Sequence, residues 1–448
     1  MIAETAAGRV RGAAAGPVTA FRGIPYARAD RFAEPRPVRP WPGVRDAAAP
    51  GPAAPQPASR LERVMGPFQM PQAEQCLSLN VWAPPGQGRP VLVFLHGGGF
   101  TSGSGGADWY DGAELAAAGD LVVVTANYRL GVLGYLRLPP VSEGNLGLLD
   151  QLAALEWVRD NIAAFGGDPG NVTVAGQSAG AQSILALLSG RRAGGLFQRA
   201  ILQSTPAGML PDTPDAAERT GRLLLDELGL DPGQEAALTD VPVADLLTAQ
   251  GAVAQRAAAP LSPVPPFQLI ADGELVAGDP VEVTGARAAD GVQILMGTTR
   301  HEAAAFFADN PRTRALSQED LTEIATRWFG DPERAAPGGR TTTEIVVDMV
   351  TDQMFREPAH RLARLLTDGG AAPWLYRFDW HPPHSPYGAC HCIELPFVLG
   401  TAAAWREAPM LDGDPPPELV RRVRRSWTGF AQRNDPGWTP GTTHNFTG

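Results

Sequence analysis

A chain of 448 residues with 37 basic and 48 acidic side chains carries a formal charge of −11, and only 19% of it is charged. Every basic residue is Arg; without Lys there is no pyridoxal Schiff base, no phosphate-loop Lys and no Ser-Lys nucleophile pair. The acidic balance also disfavours nucleic acid, whose phosphates need clustered basic charge.

From the amino end, Met1 to Gly12 holds no basic segment leading into an apolar core, and nowhere do about 18 apolar residues run together. No secretion signal and no membrane partner are therefore expected, and the protein is assigned to the cytoplasm. Pro35 to Pro57 and Pro260 to Pro266 read as surface loops; no linker or repeat divides the chain, so a single domain over residues 1–448 is expected. Short apolar runs at Val91–Leu95, Leu121–Ala126, Val172–Ala175, Ala200–Leu202 and Val292–Met296 have the character of parallel strands buried on both faces. Between them, Leu149, Leu152, Leu155, Val158 and Ile162 are spaced as one apolar helical stripe. Alternating strands and helices predict an α/β fold, a doubly wound sheet with its chemistry beyond the carboxyl ends of the strands. Near the carboxyl end, the run Arg421 to Arg425 reads as a solvated helix face.

The residues that follow the strands carry the functional signal. After Val91–Leu95 come His96-Gly97-Gly98-Gly99-Phe100, where consecutive glycines let the main chain approach a ligand closely. Gly98 and Gly99, with Ala179, supply N–H donors for a developing oxyanion, each worth roughly 3 kcal/mol in the transition state. His96, at the start of that turn, reads as a residue that holds the loop. After Val172–Ala175 stands Gly176-Gln177-Ser178-Ala179-Gly180, a G-x-S-x-G pentapeptide between strand and helix, with Ser178 the candidate nucleophile. Such a Ser needs an imidazole oriented by a carboxylate. His301, His360, His381, His384, His391 and His444 lie beyond it, and Glu302 and Asp379 both follow strand-like runs; spacing leaves the choice open. Cys390, His391 and Cys392 are adjacent and cannot all face one ion, so no metal is expected, and no cofactor. Cys76 is the third cysteine, too few for a disulfide framework.

The chain resembles the type B carboxylesterases, the family of bacterial para-nitrobenzyl esterases and the cholinesterases. The likeness is carried by Glu4-Thr-Ala-Ala-Gly-Arg-Val-Arg-Gly, Phe21-Arg-Gly-Ile-Pro-Tyr-Ala, Glu74-Gln-Cys-Leu-Ser-Leu-Asn-Val-Trp, the His96 loop and Asn127-Tyr-Arg-Leu-Gly. It continues through Asn145-Leu-Gly-Leu-Leu-Asp-Gln, Phe165-Gly-Gly-Asp-Pro-Gly-Asn, the Ser178 pentapeptide, Gly297 to Phe307 and Gly388-Ala-Cys-His-Cys-Ile-Glu-Leu-Pro-Phe-Val, with Asp212 to Pro260 matched loosely. The resemblance implies an α/β-hydrolase fold, a triad of Ser178, Glu302 and His391, an oxyanion hole at Gly98, Gly99 and Ala179, and a buried polar shell at Ser204 and Glu394.

This sequence departs from the family at His301-Glu302-Ala303, where Asp-Glu-Gly is common, and at Cys392, where Gly follows the catalytic His. Cys76 matches a half-cystine, but no Cys precedes it. Ala47 to Gln75 lacks the aromatic pattern of a choline site, and the end beyond Trp438 is short, so a shortened final strand or helix is expected. The implied activity is two-step hydrolysis of small to medium uncharged esters, lost as the imidazole protonates in acid. Phe100, Trp109, Phe267, Phe306 and Phe307 are candidate pocket walls. Amidase or acyl-transfer chemistry would use the same triad, and a non-catalytic binding protein on this fold is the other alternative; monomer and homodimer both remain open.

Overall fold

A computed structural model describes residues 1–259, 261–287 and 291–448 of the chain. Pro260 of the expected Pro260 to Pro266 loop lies outside the described residues. One ten-stranded sheet organises the fold. Its strands are β1 (Ala13–Ala15), β2 (Val18–Pro25), β3 (Ser78–Ala83), β4 (Arg89–Leu95), β5 (Val122–Ala126), β6 (Gly167–Gln177), β7 (Arg199–Gln203), β8 (Gln293–Thr299), β9 (Trp374–Phe378) and β10 (Thr443–Phe446). They lie side by side in the order β10-β9-β8-β7-β6-β4-β5-β3-β2-β1. From β10 to β5 every pairing is parallel, whereas β5-β3, β3-β2 and β2-β1 are antiparallel.

The five strands expected from apolar runs are all present. Their cores, Val91 to Leu95, Val122 to Ala126 and Val172 to Gln177, are buried throughout, as strands covered on both faces must be. The strands of the antiparallel edge show no such uninterrupted apolar run. Ser78–Ala83 mixes Ser and Asn with apolar residues, yet all six positions are buried, because Asn80 bonds Thr125 Oγ1 and the Gly105 carbonyl and supports the Gly23 N–H. β8 runs past the apolar Met296 through Gly297 to Thr299, which carries the chain to the doorstep of Glu302.

Five helices matter for the site: α1 (Leu146–Asn161), α2 (Ala179–Ser189), α3 (Thr342–Thr351), α4 (Glu357–Asp368) and α5 (Pro417–Arg433). The stripe expected on α1 understates its burial, since Asp150, Gln151, Trp157 and Asn161 are buried as well. Asp150 explains part of this. Its carboxylate receives the backbone N–H and the guanidinium of Arg129 at 2.7 to 3.0 Å, a buried ion pair that clamps the loop after β5 to α1. On α5 the Arg face is only partly solvated: Arg421 and Arg422 are exposed, but half-buried Arg424 pairs with Glu114 and donates to the Gly400 carbonyl. The carboxyl end closes the sheet, with Tyr376 to Phe378 of β9 paired with His444 to Phe446 of β10.

Candidate active site

The carboxyl ends of β4, β6 and β8 place three glycine-rich or polar turns side by side. Between β6 and α2, Ser178 has φ 56° and ψ −123°, a backbone conformation that costs an L residue on the order of 1–3 kcal/mol and persists only where its surroundings enforce it. The flanking glycines are sterically required. A Cβ on Gly176 would meet the Gly180 carbonyl carbon at 2.7 Å, and one on Gly180 would come within 2.1 Å of the Leu95 oxygen. Ser178 is fixed by its N–H, which donates to Gln203 O at 2.9 Å, and it opens on a cavity of about 40 Å³.

The loop after β4 forms the facing wall. Gly98 has φ 113° and Gly99 φ 60°; a Cβ on Gly98 would stand 1.9 Å from Ser102 O, because the carbonyl of Gly98 accepts the Thr101 and Ser102 N–H groups in a tight turn. Among the described residues the Gly98 and Gly99 N–H groups have no protein acceptor, and Ala179, the first residue of α2, has none within its helix. All three residues line the Ser178 cavity. His96 holds this loop. Its ring is buried, stacks on Tyr128 at 4.3 Å and bonds Gly97 O through Nδ1 at 2.7 Å. Burial pushes its pKa down to about 4, so the ring is neutral and structural, as its position predicts. Tyr128 Oη donates to His96 O and Gly131 N–H to Phe100 O, tying the loop to the segment that Arg129 anchors.

Glu302 and His391, separated by 89 positions, meet behind that cavity. His391 Nδ1 lies 2.6 Å from Glu302 Oε2 with both side chains fully buried, while Glu302 Oε1 accepts the Thr299 N–H at 2.7 Å. The backbone reinforces the pair, with His391 N–H donating to Glu302 O and His301 N–H to Ala389 O. The imidazole is flanked by Phe306 and Phe355 at 5.5 and 5.2 Å between ring centres, and both rings also line the Ser178 cavity. Its Nε2 faces Gln177 Nε2 at 3.2 Å; no hydrogen bond joins it to the Ser178 hydroxyl among the described residues, and such bonds commonly tighten only when substrate is bound. Asp379, the alternative orienter, is held by Arg377 at 2.6 and 2.7 Å and takes no part.

Residues 1–445 match the carboxylesterase family. The chain belongs to the carboxylesterase family. It is 43% identical to a probable N-octanoylanthranilate hydrolase of Rhodococcus erythropolis, over 96% of this chain and 92% of that protein. It is 40% identical to the para-nitrobenzyl esterase of Bacillus subtilis, over 97% and 90% of the two chains. A thermophilic PNB esterase structure superposes with TM-score 0.88 at 37% identity, covering 100% of this chain and 96% of that one. The sheet is thus that of an α/β-hydrolase, and the protein is a serine ester hydrolase that acts on small-molecule esters.

In this carboxylesterase a second buried layer lies behind the imidazole. Ser204, at φ 50°, donates to Glu394 Oε1 at 3.3 Å, and Trp427 Nε1 donates to Gln203 Oε1 at 2.9 Å. Glu394 is fully buried and its Oε2 has no partner among the described residues. Burial, followed by repulsion from Glu302, raises its pKa to about 7. A carboxyl whose folded pKa exceeds its unfolded one stabilises the native state in its protonated form. That contribution is fully present below the unfolded value and is lost as pH rises through about 7. Glu394→Gln, permanently neutral, is therefore expected to raise the melting temperature relative to wild type at about pH 8 and to lose that advantage at about pH 5. An equal shift at both values would contradict the assignment.

The aromatic walls need correction. Phe306 lines the Ser178 cavity, and Trp109 lines an adjoining one with Gly98 and Gln177, stacked between Phe68 and Trp405. Phe100, Phe267 and Phe307 are instead core residues; Phe100 is fully buried edge-on against Tyr135. Large aromatics after strand ends pack inward more often than they face substrate. The walls that sequence reasoning missed are Met209, Met354, Phe355 and the two lips Ser59 to Leu61 and Pro263 to Pro265; no motif marks them. A larger recess of about 700 Å³, lined by His301, Arg340 and Thr341 to Glu344, does not reach Ser178; size alone does not locate the chemistry. Cys76, Cys390 and Cys392 are free, buried thiols. No helix among the described residues is long and apolar enough to cross a membrane.

Proposed function

We propose that this single-domain carboxylesterase works by two-step acyl transfer with Ser178 as nucleophile, His391 as general base and Glu302 as its orienter. His391, with Nδ1–H on Glu302, removes the Ser178 proton through Nε2 as the hydroxyl oxygen attacks the ester carbonyl. The N–H groups of Gly98, Gly99 and Ala179 receive the oxyanion, each contributing on the order of 3 kcal/mol. The imidazolium then protonates the leaving alcohol, and water repeats the sequence on the acyl-enzyme. The observation that carries this reading is the fully buried 2.6 Å contact between His391 and Glu302, with the opposite ring nitrogen next to the residue preceding Ser178. Residence in the cytoplasm belongs to the same proposal, supported by three thiols that remain unpaired.

The substrate in the name of the relative called a probable N-octanoylanthranilate hydrolase is an amide, so an amide reaction at the same triad is the second reading. A series of 4-nitrophenyl esters of increasing acyl length, run beside a matching anilide, ranks the two. Turnover of the esters with fluorophosphonate labelling at Ser178 is expected. A folded protein that hydrolyses neither class, or that is labelled at another residue, defeats the proposal and favours a binding role.

A further inference from the structure

The lip over the oxyanion loop carries a positive charge. Arg60 lines the same cavity as Ser178, Gly98, Gly99 and Ala179. A Cβ built on Gly99 would lie 3.2 Å from Arg60 Nη2, so the guanidinium stands beside one of the N–H donors assigned to the oxyanion. Among the described residues its one hydrogen bond runs to Pro263 O at 2.9 Å, on the lip across the mouth. Among the described residues it has no carboxylate partner, and neither has Arg63, which donates to Phe306 O on the third side of the mouth. Desolvation, and after it the positive charge of Arg63, pushes the Arg60 pKa down. By contrast, the buried Arg129 is matched by Asp150.

A guanidinium presents five donors in a planar fork suited to a carboxylate. With one donor used on Pro263, the rest of the Arg60 head is open to the water of the recess. Arg60 is itself exposed, so solvent screens its charge in part, and an incoming anion gains chiefly from charge-assisted hydrogen bonds to the guanidinium. A neutral ester gains nothing from it.

We propose that Arg60 is a specificity-determining residue that selects esters bearing a carboxylate a short spacer away from the scissile carbonyl. The proposal rests on the Ser178 reading and extends the expected uncharged substrates to monoanionic ones. Arg63 adds to the local field, and Pro263 O fixes the guanidinium over the oxyanion loop.

The test compares 4-nitrophenyl hydrogen glutarate with its neutral methyl ester, 4-nitrophenyl methyl glutarate. The wild-type kcat/KM ratio is expected to favour the anion about tenfold or more. Arg60→Gln is expected to lower that ratio about tenfold, Arg60→Lys to retain part of it and Arg60→Glu to reverse it. A ratio unchanged in Arg60→Gln, with both esters affected alike, would show that Arg60 only latches the two lips, and would overturn the proposal. Calorimetric binding of the two esters to the Ser178→Ala protein separates this from the catalytic reading. Tighter binding of the anion that vanishes in Ser178→Ala/Arg60→Gln supports the site even if turnover were found to use another nucleophile. Equal binding of both esters removes it even if Ser178 is confirmed.

Discussion

Ser178→Ala is expected to lower kcat for 4-nitrophenyl butyrate about a million-fold while the melting temperature stays near that of the wild type. The loss is large because the hydroxyl oxygen forms the covalent bond of the acyl-enzyme, and the remaining machinery accelerates only the attack of water. The fold should not notice. Among the described residues the hydroxyl makes no hydrogen bond, and the bend that carries it is enforced by backbone contacts at Gly176, Gly180 and the Ser178 N–H. Alanine occupies the same φ as serine, so the strain at 56° is unchanged. Because the triad acts as a unit, adding His391→Ala to Ser178→Ala should cost little more. Activity near wild type in Ser178→Ala would reject the nucleophile, whereas a large drop in melting temperature would mean that the serine holds the elbow together.

Glu302→Gln should reduce kcat about ten-thousand-fold, with KM for the same ester little changed. The geometry gives the reason. Glu302 Oε1 accepts the Thr299 N–H, so in the variant the side-chain amide oxygen must take that place and the amide NH₂ must face His391 Nδ1. The ring then accepts at Nδ1 and carries its proton on Nε2, the tautomer that cannot remove a proton from Ser178. The carboxylate also stabilises the imidazolium formed during attack, and a neutral amide does not. Glu302→Asp keeps the charge but shortens the reach, and should lie between the two. If Glu302→Gln hydrolysed esters at the wild-type rate, the 2.6 Å contact would be structural only.

How much of this was legible along the chain depends on whether the determining contacts are local. The parallel strands were readable because burial on both faces forces an uninterrupted apolar run, as in Val91 to Leu95. The antiparallel edge was not, since Ser78–Ala83 hides Asn80 by bonding it to Thr125 and Gly105, partners that no local pattern names. The aromatic walls failed for the same reason. A Phe after a strand end carries no mark of which way it turns, and Phe100 turned into the core while Phe355, in no motif, reached the imidazole.

By itself the sequence determined the elbow at Ser178 and the glycine loop at Gly98 and Gly99, because a backbone that must pass within bonding distance of another, or adopt positive φ, restricts the residue types at that very position. It also named Glu302 and His391, but only through resemblance; residue chemistry left Asp379 equally eligible. Tertiary structure decided which carboxylate meets which imidazole, that burial and Glu302 raise the Glu394 pKa, and that Arg60 stands beside Gly99 with no carboxylate partner among the described residues. These are properties of groups brought together from distant parts of the chain. Electrostatic energy depends on distance and burial in space, which separation along a polypeptide does not encode.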